Sequence, residues 1–496
     1  MSTSLFARLT RRFGPPQDAM TRRQMLKSSL AASTGLLISR SPVFGAVQAV
    51  GRSDQRHVAI VGAGFAGLAC AFELKNAGYD VTVIEARPRV GGRVLSFADF
   101  VAGRNVEGGG ELIGSNHPAW VAYAEKFGLK FLDVTEDESL EFPLVLGGKK
   151  LGAAAAAALW EEMDAAYARM NADAETIDAD QPWKSGDAAL LDKKTVADWV
   201  RAQPVSNLCR TAMLVQFTAD NGVAAHRQSY LGMLAQVKGG GVERYWTDSE
   251  VYRCRGGNQQ LAVKLAEAVG RERIILRSPV TVIMAFDSGV TVTHGDGQKI
   301  DADDVVLAVP PPVWRKIIII PALPAELTPQ MGVNVKHLSA VKGRFWRDAG
   351  LSPDSMTDGD VSMTWDGTDN QPGPGGAALV AFSGGPPAEA CRARAGADRE
   401  AAYKAALESL YPGYAANVTA TRFMDWPGDA WTLGGYSFPA PGQVTTIGPM
   451  LQSGIGRLHF AGEHACYAFV GYMEGGLHSG AALARRLATR DGVLKG

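Results

Sequence analysis

The sequence predicts an α/β protein centred on a Rossmann-like dinucleotide-binding unit. An apolar run at residues 58–61 is followed by Gly62, Gly64 and Gly67 and then by a helical pattern. A second apolar strand comes next, and Glu85 lies at its end, about twenty residues beyond the first glycine. This order of strand, glycine turn, helix and strand with a terminal carboxylate is typical of folds that hold an adenine dinucleotide.

The glycine turn carries the binding chemistry of this unit. Glycine lets the backbone approach a pyrophosphate without an intervening Cβ, and the helix that follows, in which Ala66 lies, offers unpaired N–H groups at its N-terminus. The three-glycine pattern alone is a weak signal, and a glycine-rich turn in an ordinary α/β unit is the alternative. Its position between strand and helix, with Glu85 at the expected distance, favours dinucleotide binding.

The segment after Glu85 separates a flavin from a nicotinamide cofactor. It continues with Ala86 and Arg87 and reaches a second glycine pair that ends in Gly92 and Arg93. This segment resembles the second glycine motif of the FAD-containing amine oxidase family, which runs back under the diphosphate. The resemblance implies a Rossmann-like FAD-binding domain of the GR2 type, in which Arg93 supplies charge to the phosphates or braces the loop.

The first 50 residues do not have the pattern of a folded segment. Arg22 and Arg23 precede a short apolar stretch at residues 30–38, and small residues follow at 45–49. This order resembles a twin-arginine export signal, and the apolar stretch is too short to span a bilayer. A disordered basic N-terminus is the alternative. We expect export of the folded, cofactor-loaded protein to the periplasm or outside the cell.

Composition argues against several kinds of partner. About 450 residues follow the signal, enough for two domains with substantial cores. The chain has 50 Lys and Arg against 51 Asp and Glu without basic runs, so no nucleic acid is expected. No later stretch is long and apolar enough for membrane insertion. The five cysteines show no paired spacing, which predicts neither a disulfide framework nor a metal site.

Three consecutive glycines at residues 108–110 precede a polar loop and a helical pattern. Glycines of this kind let the backbone come close to something flat or bulky, although a plain glycine-rich turn is the alternative. In the amine oxidase family the similar segment passes along the isoalloxazine ring and opens the substrate cavity. The resemblance places Gly109, Gly110, Glu111 and Leu112 at the edge of the flavin.

Residues 150–239 predict a helical cap. Apolar positions recur there at spacings of three and four, which is the stripe of a helix that lies on a core. The simplest interpretation is a helical insertion into the first domain that contributes to the substrate-binding part.

The chain then returns to strand patterns, with strand signals at residues 290–293 and 304–309. The order resembles the return of the family to its FAD-binding domain, where a residue matching Val280 holds the adenine through backbone bonds. Residues 317–320 predict a buried strand, because an exposed strand of this composition would be prone to aggregation.

Lys336 lies in an otherwise apolar strand pattern with Val333, Val335 and Leu338. An ammonium group in such a strand is costly unless it faces water or a partner. The surrounding segment resembles the one in which the family's lysine holds a water molecule against flavin N5. A lysine on an edge strand that points outward is the alternative.

The last hundred residues carry the most specific match. Trp426 and the segment Gly434-Gly435-Tyr436 resemble residues that wall the flavin in the family. Gly435 stands where monoamine oxidases carry the cysteine that bonds to the flavin, so the resemblance implies non-covalent FAD.

A strand that enters Gly462 and Glu463 precedes the last helix, which begins near Tyr472 and Met473. The N-terminus of this helix is expected to face the pyrimidine end of the flavin, where its dipole stabilises negative charge. Glu463 is expected to meet the ribityl or diphosphate part.

Tyr436 and Tyr472 match the two aromatic residues that stand on either side of the substrate nitrogen in monoamine oxidases. Two electron-rich ring faces align an amine and attract its protonated form by cation–π interaction. Either tyrosine alone could belong to the core. With Lys336, the pair is the predicted catalytic set.

The resemblance implies a flavin-dependent amine oxidase. A hydride equivalent passes from the carbon that bears nitrogen to flavin N5, the imine hydrolyses, and O2 reoxidises the flavin to give H2O2. It also implies three segment groups: 1–50 as the signal, 55–110, 250–322 and 440–490 as the FAD-binding domain, and 111–249 and 323–439 as the substrate-binding domain.

The substrate stays open between an amine and an amino acid. Venom-type L-amino-acid oxidases place an arginine after the glycine loop to hold the substrate carboxylate, whereas this chain has Glu111-Leu112-Ile113. Glu111 could instead favour a second positive charge on the substrate, or it could bind flavin. An arginine such as Arg344 could still supply the carboxylate contact.

Three other functions remain as alternatives: an L-amino-acid oxidase of another subtype, a flavin dehydrogenase that passes electrons to a periplasmic carrier, and a desaturase or flavin-binding protein without amine chemistry. Composition does not decide the oligomeric state, and a homodimer is one possibility.

Overall fold

The computed structural model describes residues 5–15, 27–31, 33, 36–38, 55–135 and 140–494. Arg22, Arg23 and the small residues at 45–49 lie outside the described residues. The export signal therefore stays a prediction.

The strands are labelled in chain order as follows: β1 (His57–Val61), β2 (Asp80–Ile84), β3 (Ser96–Val101), β4 (Arg104–Glu107), β5 (Phe131–Asp133), β6 (Leu144–Leu146), β7 (Lys149–Lys150), β8 (Tyr252–Cys254), β9 (Ile274–Ile275), β10 (Val280–Phe286), β11 (Gly289–His294), β12 (Gln298–Ala302), β13 (Asp304–Leu307), β14 (Ile318–Ile320), β15 (Asn334–Val341), β16 (Ser355–Thr357), β17 (Met363–Asp366), β18 (Ala377–Gly384), β19 (Val418–Asp425) and β20 (Leu458–Phe460).

The α-helices that the description uses are α1 (Leu5–Phe13), α2 (Phe65–Asn76), α3 (Pro118–Lys126), α4 (Ala153–Glu175), α5 (Ala188–Lys193), α6 (Val196–Arg201), α7 (Asn207–Asn221), α8 (Tyr230–Gly239), α9 (Glu243–Asp248), α10 (Gln259–Val269), α11 (Pro311–Trp314), α12 (Phe345–Asp348), α13 (Pro386–Ala393), α14 (Gly396–Leu410), α15 (Tyr414–Asn417), α16 (Gln443–Ser453) and α17 (Met473–Arg490).

A five-stranded parallel sheet forms the first layer, in the order β20-β13-β1-β2-β9. Residues 58–61 of β1 are buried, as expected for a parallel strand that is covered on both faces. Helix α17 packs against α2, and the residues of both helices share a core with β1 and β2. The predicted strand–turn–helix–strand unit is therefore present, and the α/β fold class is confirmed.

A four-stranded sheet in the order β12-β11-β10-β14 follows, with β14 at its edge. The expectation of a buried strand at residues 317–320 is correct for the strand and wrong for its burial. Ile318 is 62% exposed and Ile320 is 47% exposed, whereas Ile317 is buried. Strand alternation on an edge strand sends every second side chain to the open face, so an all-isoleucine run cannot be buried throughout.

A seven-stranded sheet in the order β19-β15-β18-β17-β16-β6-β7 forms the second part. Helices α4 to α9 occupy most of residues 153–248, which matches the predicted helical segment, and they share a core with Leu338 and Phe382 of this sheet. Helices α13 to α15 share a second core with Val335 and Leu379. Strand β15 is thus covered on both faces.

Helix α1 packs on the folded body, contrary to the expectation that the first 50 residues stay apart from it. Leu5 to Leu9 are buried, and the Phe6 ring lies 4.8 Å from the Tyr167 ring and 6.2 Å from the Trp246 ring. The buried residues of α1 lie well before the paired arginines on which the expectation of an export signal rests.

In the described part of the chain, none of the helices has the length and apolarity that crossing a bilayer requires. The same residues contain no cluster of three or more His, Cys, Asp or Glu side chains with the arrangement of a metal site. All five cysteines are free and buried.

Candidate active site

One large cavity lies between the parallel sheet and the seven-stranded sheet and holds about 1620 Å³ of unfilled space. The residues from the sequence analysis that line it are Gly62, Gly64, Ala66, Glu85, Ala86, Arg87, Gly92, Arg93, Gly109, Gly110, Glu111, Leu112, Val280, Lys336, Trp426, Tyr436, Gly462, Glu463, Tyr472 and Met473. Segments far apart in the sequence are thus brought to one space.

Gly67 is the exception and does not line the cavity. A Cβ at Gly67 would lie 2.0 Å from the Gly62 carbonyl oxygen and 3.3 Å from the Ala308 Cβ. The third glycine of the pattern therefore allows α2 to pack closely on β1, and its assignment as a contact to the cofactor is corrected to a packing role.

The glycine turn forms an open cradle at the N-terminus of α2. Gly64 bridges to Gly91, and a Cβ on Gly64 would meet only the Gly92 Cα, at 3.9 Å. The helix has no side-chain cap at Gly64, so its first N–H groups face the cavity. Free N–H groups and the helix dipole at this place suit a phosphate.

Glu85 lies at the end of β2 and is buried. Its carboxylate accepts hydrogen bonds of 2.8 Å from the backbone N–H groups of Ala63 and Arg87. These bonds fix the side chain at the cavity wall close to Val280, which also lines the cavity. The remaining carboxylate lone pairs suit the hydroxyl groups of a ribose.

The two arginines that line the cavity are held by protein partners. Arg87 pairs with Asp429 and donates to Thr432 Oγ1 at 2.8 Å. Arg93 donates to Glu463 Oε1 at 2.9 Å and to the Gly435 carbonyl oxygen at 2.7 Å. Arg93 thus braces the loop around Gly435, one of the two roles considered for it.

Glu463 receives several donors in addition to Arg93. Its carboxylate accepts from the Ser437 hydroxyl at 2.6 Å and from the Gly471 N–H at 2.9 Å. Burial raises the pKa of Glu463, but Arg93 and these hydrogen bonds outweigh it and lower the pKa below its usual value. The ionised side chain ties three segments of the cavity wall together.

A buried ion-pair cluster lies at the middle of the cavity, around Glu111. Lys336 Nζ lies 2.6 Å from Glu111 Oε2, and Arg253 Nε lies 2.8 Å from Glu111 Oε1. The Trp365 indole N–H donates to the same Oε1 at 2.8 Å. Burial raises the pKa of Glu111, but the two cations outweigh it and hold the pKa below its usual value.

These contacts exclude one of the roles considered for Glu111. Both of its oxygens are used inside the protein, so it does not offer a free carboxylate to a second positive charge on a substrate. It anchors Lys336, whose Nζ also donates to the Gly109 carbonyl oxygen at 2.8 Å.

Lys336 lies on β15, which pairs with β18 on one side and β19 on the other. The side chain is buried and lines the cavity, so the alternative of an outward lysine on an edge strand is wrong. Asn334 lies two residues earlier on the same strand face, and neither of its side-chain amide atoms has a hydrogen-bond partner. Strand alternation could have identified Asn334 from the sequence.

Tyr436 and Tyr472 line the same end of the cavity. A Cβ on Gly471, next to Tyr472, would lie 3.1 Å from Tyr436 Cδ2, so the two aromatic segments touch. The Tyr436 hydroxyl donates to the Asp220 carbonyl oxygen at 2.7 Å. Burial and neighbouring negative groups raise the pKa of both tyrosines well above the usual value, so both hydroxyls are protonated at neutral pH.

Backbone segments approach each other closely in the cavity wall between the glycine turn and the tyrosine pair. A Cβ on Gly109 would lie 1.9 Å from the Arg93 carbonyl oxygen, and one on Gly110 would lie 2.8 Å from Met473 Cγ. The Trp426 indole N–H donates to the Gly108 carbonyl oxygen at 2.9 Å. The triple glycine thus brings three distant segments together.

Sequence reasoning missed several lining residues. Phe382, Glu250 and His464 line the cavity without belonging to a motif that was recognised. Glu250 lies in the short stretch before β8, where no glycine or charge pattern marks it. His464 follows the recognised Gly462-Glu463 pair directly and could have been included.

The residues that line the cavity have the chemistry that FAD binding requires. Both ring nitrogens of His464 are buried in the wall without a partner, and burial lowers the pKa of His464 to about 4, so the ring is neutral and can donate or accept. The uncapped N-terminus of α2 and the fixed carboxylate of Glu85 supply groups for the diphosphate and the ribose. None of the five cysteines lines this cavity, so no cysteinyl bond to a flavin forms here.

The fold and this cavity define an oxidoreductase that binds a flavin dinucleotide. Residues 65–488 match the model of the flavin containing amine oxidoreductases. The chain belongs to that family, and FAD held without a covalent bond is its cofactor.

Relatives of known name agree with this assignment. The L-amino acid dehydrogenase of Synechocystis sp. is 26% identical over 452 residues, which cover 86% of this chain and 94% of that protein. Cyclohexylamine oxidase from Brevibacterium oxydans has a similar structure, with a TM-score of 0.80, 27% identity, and coverage of 88% of this chain and 100% of that chain. Putrescine oxidase bound to putrescine gives a TM-score of 0.78 at 26% identity, with coverage of 88% and 100%.

Proposed function

We propose that the protein oxidises a small-molecule amine, with FAD as the redox cofactor and O2 as the final electron acceptor. The observation that carries this proposal is the single cavity that runs from the glycine cradle at Gly64 to the tyrosine pair, with Lys336 buried between them. When bound, FAD takes a hydride equivalent from the carbon that bears nitrogen and is reoxidised by O2 with formation of H2O2.

The tyrosine pair orients the amine. Two neighbouring aromatic faces at Tyr436 and Tyr472 limit the substrate nitrogen to one approach and attract it while it is protonated. The hydrogen bond from Tyr436 to the Asp220 carbonyl oxygen fixes the first ring. Orientation of this kind supplies much of the rate enhancement in reactions in which the cofactor carries the chemistry.

Lys336 positions a water molecule at the cofactor. Glu111 and the Gly109 carbonyl oxygen hold its ammonium group at the cavity wall. A fixed positive charge at that place favours the negative charge that develops as O2 is reduced. This role comes from the resemblance to the family, and the buried ion pair supports it.

An amine is favoured over an amino acid as the substrate. The cavity-lining arginines of the described residues, Arg87 and Arg93, are held by Asp429 and Glu463. Arg344 does not line the cavity, because it pairs with Asp366 at 2.5 Å. A free guanidinium for a substrate carboxylate is therefore lacking among these residues.

The test is anaerobic mixing of the purified yellow protein with separate pools of amines, polyamines and L-amino acids. Bleaching of the oxidised flavin band by an amine pool supports the proposal, and bleaching by amino acids alone would replace it with an amino-acid activity. Rapid return of the band in air identifies an oxidase. Slow return identifies a dehydrogenase, which the relation to the Synechocystis enzyme makes the second candidate.

We also propose that the protein is exported by the twin-arginine route and acts in the periplasm or outside the cell. Arg22-Arg23 ahead of a short apolar stretch supports this proposal. Replacement of both arginines by lysine should retain the protein in the cytoplasm. Unchanged export of that variant in cell fractions would contradict the proposal.

A further inference from the structure

A second, smaller cavity adjoins Tyr472. Glu250 and Tyr472 line both this cavity and the main one, so these two side chains lie between the two spaces. Gln216 and Asp220 from the last two turns of α7 line the far wall. The Tyr436 hydroxyl donates to the Asp220 carbonyl oxygen, which brings the same residue to the edge of the main cavity.

Two side-chain oxygens in this wall are buried acceptors without a hydrogen-bond donor. Gln216 is 1% exposed, and its Oε1 has no hydrogen-bond partner. Asp220 Oδ1 is likewise buried without a partner. Glu250 is 9% exposed, and among the described residues its carboxylate makes neither a hydrogen bond nor an ion pair. Buried acceptors without donors are rare because each costs free energy.

The two carboxylates are close enough to affect each other. Burial, together with the charges of Asp220 and Glu111, raises the pKa of Glu250 to about 8, against the opposing charges of the chain's N-terminal ammonium group and of Arg11. Burial raises the pKa of Asp220 to about 7, against the opposing effects of the N-terminal ammonium group and of a hydrogen bond from Gln216. Both groups would ionise more readily with a cation between them.

Aromatic rings form the rest of the wall, from Phe217, Tyr245, Trp246 and Tyr472. Aromatic faces and carboxylates attract the same kind of ligand, a cation with N–H donors. A primary ammonium group supplies three N–H donors and one positive charge.

We propose that this second cavity is a subsite for a distal ammonium group, so that the substrate is an α,ω-diamine rather than a simple alkylamine. One nitrogen lies between Tyr436 and Tyr472 for oxidation, and the other is held by Gln216, Asp220 and Glu250. The proposal rests on the proposed amine oxidation and names its substrate class. Glu250 and Asp220 take the role in specificity that the sequence had offered to Glu111.

The test compares diamines with alkylamines of equal chain length on the full-chain FAD enzyme. Anaerobic stopped-flow reduction with 1,5-diaminopentane and with 1-aminopentane gives the concentration at half-saturation for each compound. We expect the diamine value to be lower by about tenfold or more, since a charge-assisted hydrogen bond contributes on that order. A series from three to six carbons finds the spacing between the two nitrogens.

Variants of Asp220 and Glu250 test whether these two side chains cause the preference for diamines. Asp220→Asn and Glu250→Gln keep the side-chain shape and should each reduce the diamine preference, and the double variant should abolish it. Glu243→Gln removes an exposed carboxylate seven residues before Glu250 and should leave the preference unchanged. A wild-type ratio near one at every chain length, or a ratio that survives in the double variant, overturns the subsite.

The subsite and the proposed oxidation fail in different ways. If no amine bleaches the flavin, amine oxidation is wrong, and calorimetric titration of the same enzyme with 1,5-diaminopentane still tests the subsite. Binding that is lost in Glu250→Gln supports it, whereas absence of binding overturns it. Binding of L-lysine as tightly as 1,5-diaminopentane would replace the diamine with a basic amino acid and so overturn the substrate class.

Discussion

Lys336 Nζ and Glu111 Oε2 lie 2.6 Å apart and join β15, an interior strand of the seven-stranded sheet, to the triple-glycine loop. Arg253 holds the other oxygen of the same carboxylate. A buried carboxylate with two cationic partners stays ionised, and it keeps the lysine at a fixed place in the cavity wall. The stability of this contact is what allows a buried lysine to remain on an interior strand of the sheet.

Replacement of Lys336 should separate the two half-reactions. In Lys336→Met, Glu111 keeps Arg253 and Trp365 as partners, so the fold should hold. Reoxidation by O2 should slow on the order of 100-fold, because a positioned charge is lost, while reduction by amine changes far less. Stopped-flow spectroscopy measures both rates. Lys342→Met, at an exposed lysine beyond β15, is the control, and equal slowing of both half-reactions would contradict the role.

The ring of Tyr436 should matter more than its hydroxyl group. Tyr436→Phe loses only the hydrogen bond to the Asp220 carbonyl oxygen, whereas Tyr436→Leu loses the aromatic face. We expect kcat/KM to fall by about threefold in the first variant and by on the order of 30-fold in the second. Steady-state kinetics with the preferred amine give both values. Equal losses would show that the face does not act on the substrate.

Gly67 should be required for folding rather than for contact with the cofactor. A Cβ in Gly67→Ala would lie 2.0 Å from the Gly62 carbonyl oxygen, which the backbone cannot easily relieve. We expect a loss of roughly 3 kcal/mol or more in the free energy of unfolding. Gly152→Ala is the control, because Gly152 precedes α4 with open space around it. Denaturant titration measures both variants, and a neutral Gly67→Ala would refute the packing role.

Asp304 should make the stability depend on pH in a defined direction. It lies unexposed on β13, where Arg490 contacts it at 2.7 Å and His459 at 3.0 Å. Burial raises the pKa of Asp304, but hydrogen bonds from His459 and Arg490 outweigh it and lower the pKa well below its usual value. The stabilisation is therefore complete above the unfolded-state pKa of about 4 and is lost as the pH falls below it.

The matching measurement is the free energy of unfolding of Asp304→Asn and the parent between pH 3 and pH 7. The variant should be less stable by about 3 kcal/mol at neutral pH, since the buried position would lose the carboxylate charge that pairs with Arg490. That difference should shrink as the solution is acidified. Asp296→Asn, at an exposed turn, should match the parent throughout. A difference that does not change with pH would show that the charge of Asp304 is not the cause.

The parts of the site that could be predicted are those in which the local sequence favours a single backbone conformation. The glycine turn, the carboxylate at the end of β2 and the lysine in an apolar strand each follow from local sequence, and the cavity contains all of them. Gly67 was assigned wrongly because a turn glycine and a packing glycine look alike until the helix is placed on the strand.

Other features depend on which segments meet, and local sequence does not contain that information. Asp220 and Glu250 come from different elements and meet only through the packing of α7 beside the tyrosine pair. Burial of Ile318 and Ile320 was overestimated because the pattern shows composition, whereas exposure depends on β14 lying at a sheet edge. The role of Glu111 stayed open between a substrate contact and a flavin contact, because its partner Arg253 lies more than a hundred residues away in sequence.

Helix α1 forms one wall of the second cavity through Ala7, and its Phe6 ring covers Tyr167 and Trp246. A chain shortened by cleavage after residue 50 would leave that wall open to solvent. Tyr167 and Trp246, which Phe6 covers, would then border an opening of the second cavity. A diamine could pass from solvent through this opening directly to Glu250. The second cavity would then be closed to the substrate before cleavage and open to it after cleavage.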